Sequence, residues 1–195
     1  MLTAYKAFQL AIAVVFAVAV SDWRRKPGMV ALMSRRWVTA TRLIYPVLLA
    51  VFAWVVLGME QVRALDLATL GLTGAGTALV VKARIDLGSN HTWAGYQSAS
   101  GGLVTRGIYA WMRHALYAGV YCFIGGGMIS VAARAPWYVT SFVALSVAYV
   151  AGFLVVSARR ESLLLQEQYG EAFVSYRDSV HPFLPLQRYK EAPDE

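Results

Sequence analysis

The stretch YAGVYCFIGGGMISVAARAPWYVTSFVALSVAYVAGFLVVSA, residues 117–158, carries a single charged residue, Arg134, and its reading decides the fold class. Apolar runs flank that arginine, Tyr117–Ala133 on one side and Ala135–Ala158 on the other. Each is close to the ~20 residues that a helix needs to cross ~30 Å of hydrocarbon. Lipid offers no water to satisfy backbone N–H and C=O groups, so a segment that bonds them internally, a helix, is the structure these runs can adopt. Three more apolar runs precede them: Leu2–Val20, Leu43–Met59 and Leu67–Val81. The last is short and is expected to continue past Lys82 and Arg84, whose long apolar stems let the charged ends reach the interface. These runs predict an all-α integral membrane protein with about five transmembrane helices.

Composition points the same way. Of 195 residues, 58% are hydrophobic and 15% charged, against about 45–50% and about 25% in soluble domains. A net charge of +7 suits either nucleic acid or anionic lipid, and its distribution separates the two. Basic residues cluster between the apolar runs rather than along one polar face, which is the pattern of membrane topology and not of a nucleic-acid surface. Of the 18 basic residues, only Lys6, Arg63 and Arg134 fall on one side of a five-span layout. The others lie between the first and second spans (Arg24, Arg25, Lys26, Arg35, Arg36, Arg42), between the third and fourth (Lys82, Arg84, Arg106, Arg113), and after the fifth (Arg159, Arg160, Arg177, Arg188, Lys190). Positive charge stays inside, so the N-terminus is expected outside and the C-terminus in the cytosol. Ala17-Val18-Ala19 resembles a signal-cleavage site, but the basic triplet that follows resists translocation, and the first run reads as a retained helix.

Cys122 is alone, and His91, His114 and His181 have no helical ligand spacing, so neither a disulfide framework nor a metal site is expected. No repeat or linker divides the chain. It reads as one membrane-embedded domain, 1–195: three spans in 1–85, a polar motif region with the last two spans in 86–185, and a tail in 186–195. Gly71, Gly74 and Gly76, and the triplet Gly125, Gly126 and Gly127, lie inside apolar helical runs. A nucleotide-binding glycine loop would need a strand before it, so these glycines are expected to pack helices together. Beyond Ala158, Glu161, Leu164, Leu165 and Gln168 recur at helical spacing and Gly170 reads as a stop. Ala172, Phe173 and Tyr176 predict a further short amphipathic turn ending near His181-Pro182, and 191–195 a disordered tail.

The second and fourth connections are too short for a site, so chemistry is expected on the cytosolic face, from residues 86–114 and from Arg159 onward. Leu87–Tyr117 mixes glycine, aromatic, histidine and arginine just before a span. An aromatic belt explains Trp93, Tyr96, Tyr109 and Trp111 singly, but not why the loop ends in Arg113-His114 at the bilayer face.

Gly102-Leu103-Val104-Thr105, then Gly107 through His114, then Tyr117, resembles the signature of the isoprenylcysteine carboxyl methyltransferase family and its phospholipid methyltransferase relatives. That signature runs Leu-Val-Thr-x-Gly-x-Tyr into Arg-His-Pro-x-Tyr. Its second half, a glutamate on the helix after the last span, a Gly-x-x-aromatic-x-x-Tyr run and a closing proline, is similar to Glu161, Gly170, Phe173, Tyr176 and Pro185. The likeness covers about half the chain. It implies a cytosolic S-adenosylmethionine site formed by the loop before the fourth helix and the segment after the fifth. Leu103, Val104, Tyr109, His114, Ala115, Leu116, Tyr117 and Glu161 would bind the cofactor. Three positions depart from the pattern: Ala115 replaces the proline, Ser162 replaces a second glutamate, and Ser157 stands where a substrate arginine is expected. Arg159 as a substrate-binding residue and Arg160, with Glu161, as a catalytic one are the candidates to take over that role.

The implied activity is methyl transfer to a lipophilic acceptor or a small thiol, carboxylate or amine, with membrane lipid as the surrounding partner. Two other readings stay open: a membrane reductase of the steroid-reductase type using a nicotinamide cofactor, and a non-catalytic membrane scaffold.

Overall fold

The structure, a computed structural model, describes residues 1–21, 29–98 and 101–189. Five helices are long and apolar enough to cross a membrane: α1 (Leu2–Val20), α2 (Arg35–Leu57), α3 (Ala64–Leu87), α4 (Ala115–Ala132) and α5 (Trp137–Tyr169). A short helix, α6 (Glu171–Ser179), follows. The protein is therefore a helical membrane protein of five candidate spans. The expected tail at 191–195, and the charges Arg24, Arg25, Lys26 and Lys190, lie outside the described residues.

Helix ends differ from the apolar runs where charge and helix propensity disagree. α2 starts at Arg35, well before Leu43, because Arg35, Arg36 and Arg42 are good helix formers even though they are not apolar. α5 does not stop at Ala158. Its 33 residues run to Tyr169 and end at Gly170, whose φ of 54° favours glycine. At ~1.5 Å per residue such a helix is ~50 Å long, far more than the hydrocarbon layer needs. Its last turns, with Glu161, therefore project beyond the apolar part. One element breaks the all-α expectation: β1 (Met29–Ala31) pairs antiparallel with β2 (Tyr96–Ser98), Val30 opposite Gln97. Gly95, at φ 89°, turns the chain into this ribbon, and a Cβ there would lie 3.0 Å from Phe153 and from Val38.

α3 sits between α1 and α4. Against α4 the approach is backbone to backbone: a Cβ on Gly76 would lie 2.6 Å from the Phe123 nitrogen, and one on Gly119 would lie 2.7 Å from the Gly76 carbonyl oxygen. Gly126 meets Leu72 and Thr73, whereas Gly71 and Gly125 have open space beside them. Close packing thus explains Gly76 and Gly126 and leaves their neighbours as ordinary helical residues. Against α1, α3 makes a buried polar seam. Thr73 donates to Gln9 (3.0 Å), Gln9 to the Tyr5 hydroxyl (2.9 Å), and that hydroxyl to the Asp66 carbonyl (3.0 Å). The Asp66 carboxylate, fully buried, takes Arg134 at 2.6 Å and the Arg63 backbone N–H at 2.6 Å. The two connections at this end are thereby locked together.

Candidate functional site

The loop between α3 and α4 is held by a carboxylate in the last turn of α3. Asp86 Oδ2 accepts the Ile108 N–H at 2.7 Å. It also fills the space beside Gly107, where a Cβ would collide with it and φ is +63°. That contact starts the 3-10 turn Gly107–Ala110 and buries the Tyr109 side chain. The chain after α6 then returns along the same loop. Arg113 and His114 donate their backbone N–H groups to the carbonyls of His181 (3.2 Å) and Pro182 (2.8 Å), and Tyr189 donates to Ala110 (2.7 Å). Arg113 Nε donates to the Val180 carbonyl at 2.9 Å, and the Tyr176 hydroxyl to the Tyr109 carbonyl at 2.7 Å. The two halves of the polar motif, far apart in sequence, are stitched together by main-chain bonds.

Between them is a cleft of about 820 Å³, open mouth included. Leu103, Val104, Tyr109, His114, Leu116 and Tyr117 line it from the loop and the start of α4; Glu161, Ser162 and Leu165 line it from α5, and Phe173 and Tyr176 from α6. In its lining His114 stacks on Tyr117 (5.6 Å, 8° between planes), and Phe183 lies tilted to the same imidazole at 5.6 Å. His114 Nδ1 lies 3.7 Å from Glu161 Oε2, and Nε2 lies 3.4 Å from Ser162 Oγ. The Tyr117 hydroxyl hydrogen-bonds the Glu161 carboxylate.

Burial, and secondarily the Arg113 cation next to it, push the His114 pKa down to about 3. The imidazole is neutral, and its contact with Glu161 is not an ion pair. Burial and the nearby Glu161 raise the Tyr109 pKa well above that of a free phenol, and burial raises that of Tyr176, so both stay protonated. Burial also lowers the Arg113 pKa, but a guanidinium starts high enough to keep its charge. Among the described lining residues the site therefore holds one cation, the Glu161 carboxyl group, a neutral imidazole and several phenol rings.

Four of the residues singled out from sequence are placed elsewhere. Ala115 is fully buried and packs with Ala83 and Met112, towards α3. Arg159 and Arg160 are exposed on α5 and do not line the cleft; Arg160 Nη1 donates to the Leu32 carbonyl at 2.7 Å. Helical geometry is the cause, since α5 turns Glu161, Ser162 and Leu165 inward and the two arginines away. Ser157, one turn before Glu161, is fully buried, its hydroxyl has no partner among the described residues, and it does not line the cleft. Sequence reasoning missed Arg113, Ser162 and the Tyr176–Tyr109 link. Arg113 carries a signal, its place beside His114, but in a charge count it reads equally as a topology charge.

No family model matches the chain, and no curated protein does.

Proposed function

We propose that this protein is a membrane-embedded methyltransferase that uses S-adenosylmethionine and works at the cytosolic membrane face. One observation carries the reading. The segments that resemble a methyltransferase signature, Leu103–Tyr117 and Glu161–Tyr176, lie either side of a membrane hairpin and line a single cleft. The charge bias that sets the N-terminus outside puts that cleft on the cytosolic side.

The donor set suits the cofactor, which bears a sulfonium, an ammonium and a carboxylate and supplies an activated methyl group. Glu161 can accept from an ammonium or from ribose hydroxyls, and the Tyr117 hydroxyl holds it in place. Arg113 has donors beyond the Nε bound to Val180 and can take a carboxylate. The rings of Tyr109, Tyr117 and Tyr176 offer faces to a cation. A neutral His114 adds no positive charge to repel the sulfonium. Methyl transfer is a direct displacement, so orientation and exclusion of water supply most of the acceleration. The C-terminal segment packed over His114 contributes to both.

The test is ligand-dependent melting of the purified full chain in detergent. Adenosylhomocysteine at a hundredfold its Kd is expected to stabilise the fold by about 2.7 kcal/mol. Glu161→Gln is expected to weaken its binding roughly tenfold, the loss of one charge-assisted hydrogen bond. Stabilisation by a reduced nicotinamide dinucleotide instead would move the reading to a reductase. No response to adenosylhomocysteine at millimolar concentration would refute it.

A further inference from the structure

A second cavity, about 910 Å³ with its opening, is built by the spanning helices α1, α2, α4 and α5 together with residues 92–94. It shares two lining residues, Thr92 and Leu116, with the cleft described above. Among the described residues no Asp, Glu, Lys, Arg or His lines it, and Phe16, Tyr45, Phe52, Trp93 and Phe123 give it aromatic walls. Its two threonine hydroxyls already donate to main-chain carbonyls: Thr41 to Trp37 at 3.0 Å, Thr92 to Tyr96 at 2.7 Å. The Trp93 indole N–H differs. It is buried and has no acceptor among the described residues. The ring cannot easily turn to find one. Tyr45 packs edge-on against it (6.0 Å, 80°), and the Arg42 guanidinium lies 5.5 Å from its centroid.

An unsatisfied buried donor is costly, and it is satisfied if a ligand supplies the acceptor. We propose that this cavity holds the methyl acceptor, and that the acceptor is an uncharged, lipid-soluble phenol whose oxygen takes the Trp93 N–H. The proposal rests on the methyltransferase reading and narrows it. A carboxylate or ammonium would be buried here with no opposite charge among the described lining residues, since Arg42 is exposed and does not line the cavity. A thiol sulfur accepts an N–H only weakly, whereas an oxygen accepts it well. Aromatic walls favour an aryl body. The phenol would lie with its ring among the helices and its oxygen towards Thr92 and Leu116. One oxygen lone pair forms the new O–C bond to the methyl group. The pair of the broken C–S bond remains on sulfur, turning the sulfonium into a neutral thioether, and the phenolic proton leaves to water in the cleft.

The experiment measures binding of 2-naphthol and of 2-naphthoate, the same ring system bearing a carboxylate, to the full chain in lipid nanodiscs at neutral pH. Adenosylhomocysteine is titrated in parallel. Wild-type protein is expected to bind 2-naphthol at least tenfold more tightly than 2-naphthoate. Trp93→Phe keeps the ring and removes the donor, and is expected to weaken naphthol binding about fivefold. Val147→Trp fills the cavity away from the cleft and is expected to weaken it tenfold or more. Both variants should keep adenosylhomocysteine affinity within twofold, which also shows that they are folded. Naphthoate binding as tight as naphthol, no measurable naphthol binding, or naphthol affinity that ignores either substitution overturns the proposal. Failure of wild-type protein to bind adenosylhomocysteine overturns the underlying reading instead.

Discussion

Acid should weaken the folded protein through His114, and His114→Gln should remove that part of the pH dependence. The His114 side chain is 6% exposed, and burial first, then Arg113, hold its pKa at about 3. A histidine in an unfolded chain titrates near about 6.5. Between those values the unfolded state binds a proton that the folded state refuses. Stability is therefore unaffected by this group above about pH 6.5 and falls as pH drops through the window. The slope is about 1.4 kcal/mol per pH unit, so the loss reaches about 2 kcal/mol by about pH 5. The assay is equilibrium unfolding in mixed micelles at several pH values from about 7 down to about 5, comparing wild type with the variant so that carboxylate titration cancels. The stability advantage of wild type over His114→Gln should shrink by about 2 kcal/mol across that range. Parallel profiles would refute the reasoning. A wild-type advantage that grows on acidification would show that His114 and Glu161 form a true ion pair, with the histidine pKa raised rather than lowered.

Arg134→Ala should cost about 3–5 kcal/mol, because it strands the fully buried Asp66 carboxylate; adding Asp66→Asn should recover much of that in the same unfolding assay. Gly76→Val should destabilise by about 1–3 kcal/mol or prevent folding, since α4 backbone lies where the side chain would go, while Gly71→Ala, with open space around it, should be neutral or slightly stabilising by melting temperature. Tyr176→Phe should cost about 1 kcal/mol by removing the donor to the Tyr109 carbonyl. Arg160→Ala should leave adenosylhomocysteine affinity within twofold by titration, because its guanidinium faces Leu32 rather than the cleft.

The spans were legible in the sequence because burial in lipid demands long apolar runs, and five such runs leave little ambiguity. α1 coincides with its run, residue for residue. The ends were less legible by hydropathy wherever charge continues a helix: Arg35–Arg42 is helical and no apolar run shows it, whereas helical spacing past Ala158 and the stop at Gly170 did mark the end of α5. The ribbon of Met29–Ala31 with Tyr96–Ser98 left no trace, since three-residue strands are too short to show a period of two. The Asp66–Arg134 pair was hidden for another reason. Charge counting assigns a residue to a side of the membrane but says nothing of what it touches. In the site, Glu161 and the Tyr109–Tyr117 strip were named from motif order, and geometry then separated their neighbours. Arg159 and Arg160 differ from Glu161 by only one or two positions, and that rotation along α5 is enough to point them out of the cleft.

The central claim is that this cleft delivers a methyl group, and its most direct measurement is transfer of radiolabelled methyl from S-adenosylmethionine into a native lipid and metabolite extract by membranes carrying the full chain. The account predicts labelled, organic-soluble product from wild-type membranes and at least a tenfold loss with Glu161→Gln. Label incorporation no greater than in membranes lacking the protein, or incorporation indifferent to Glu161, would contradict it.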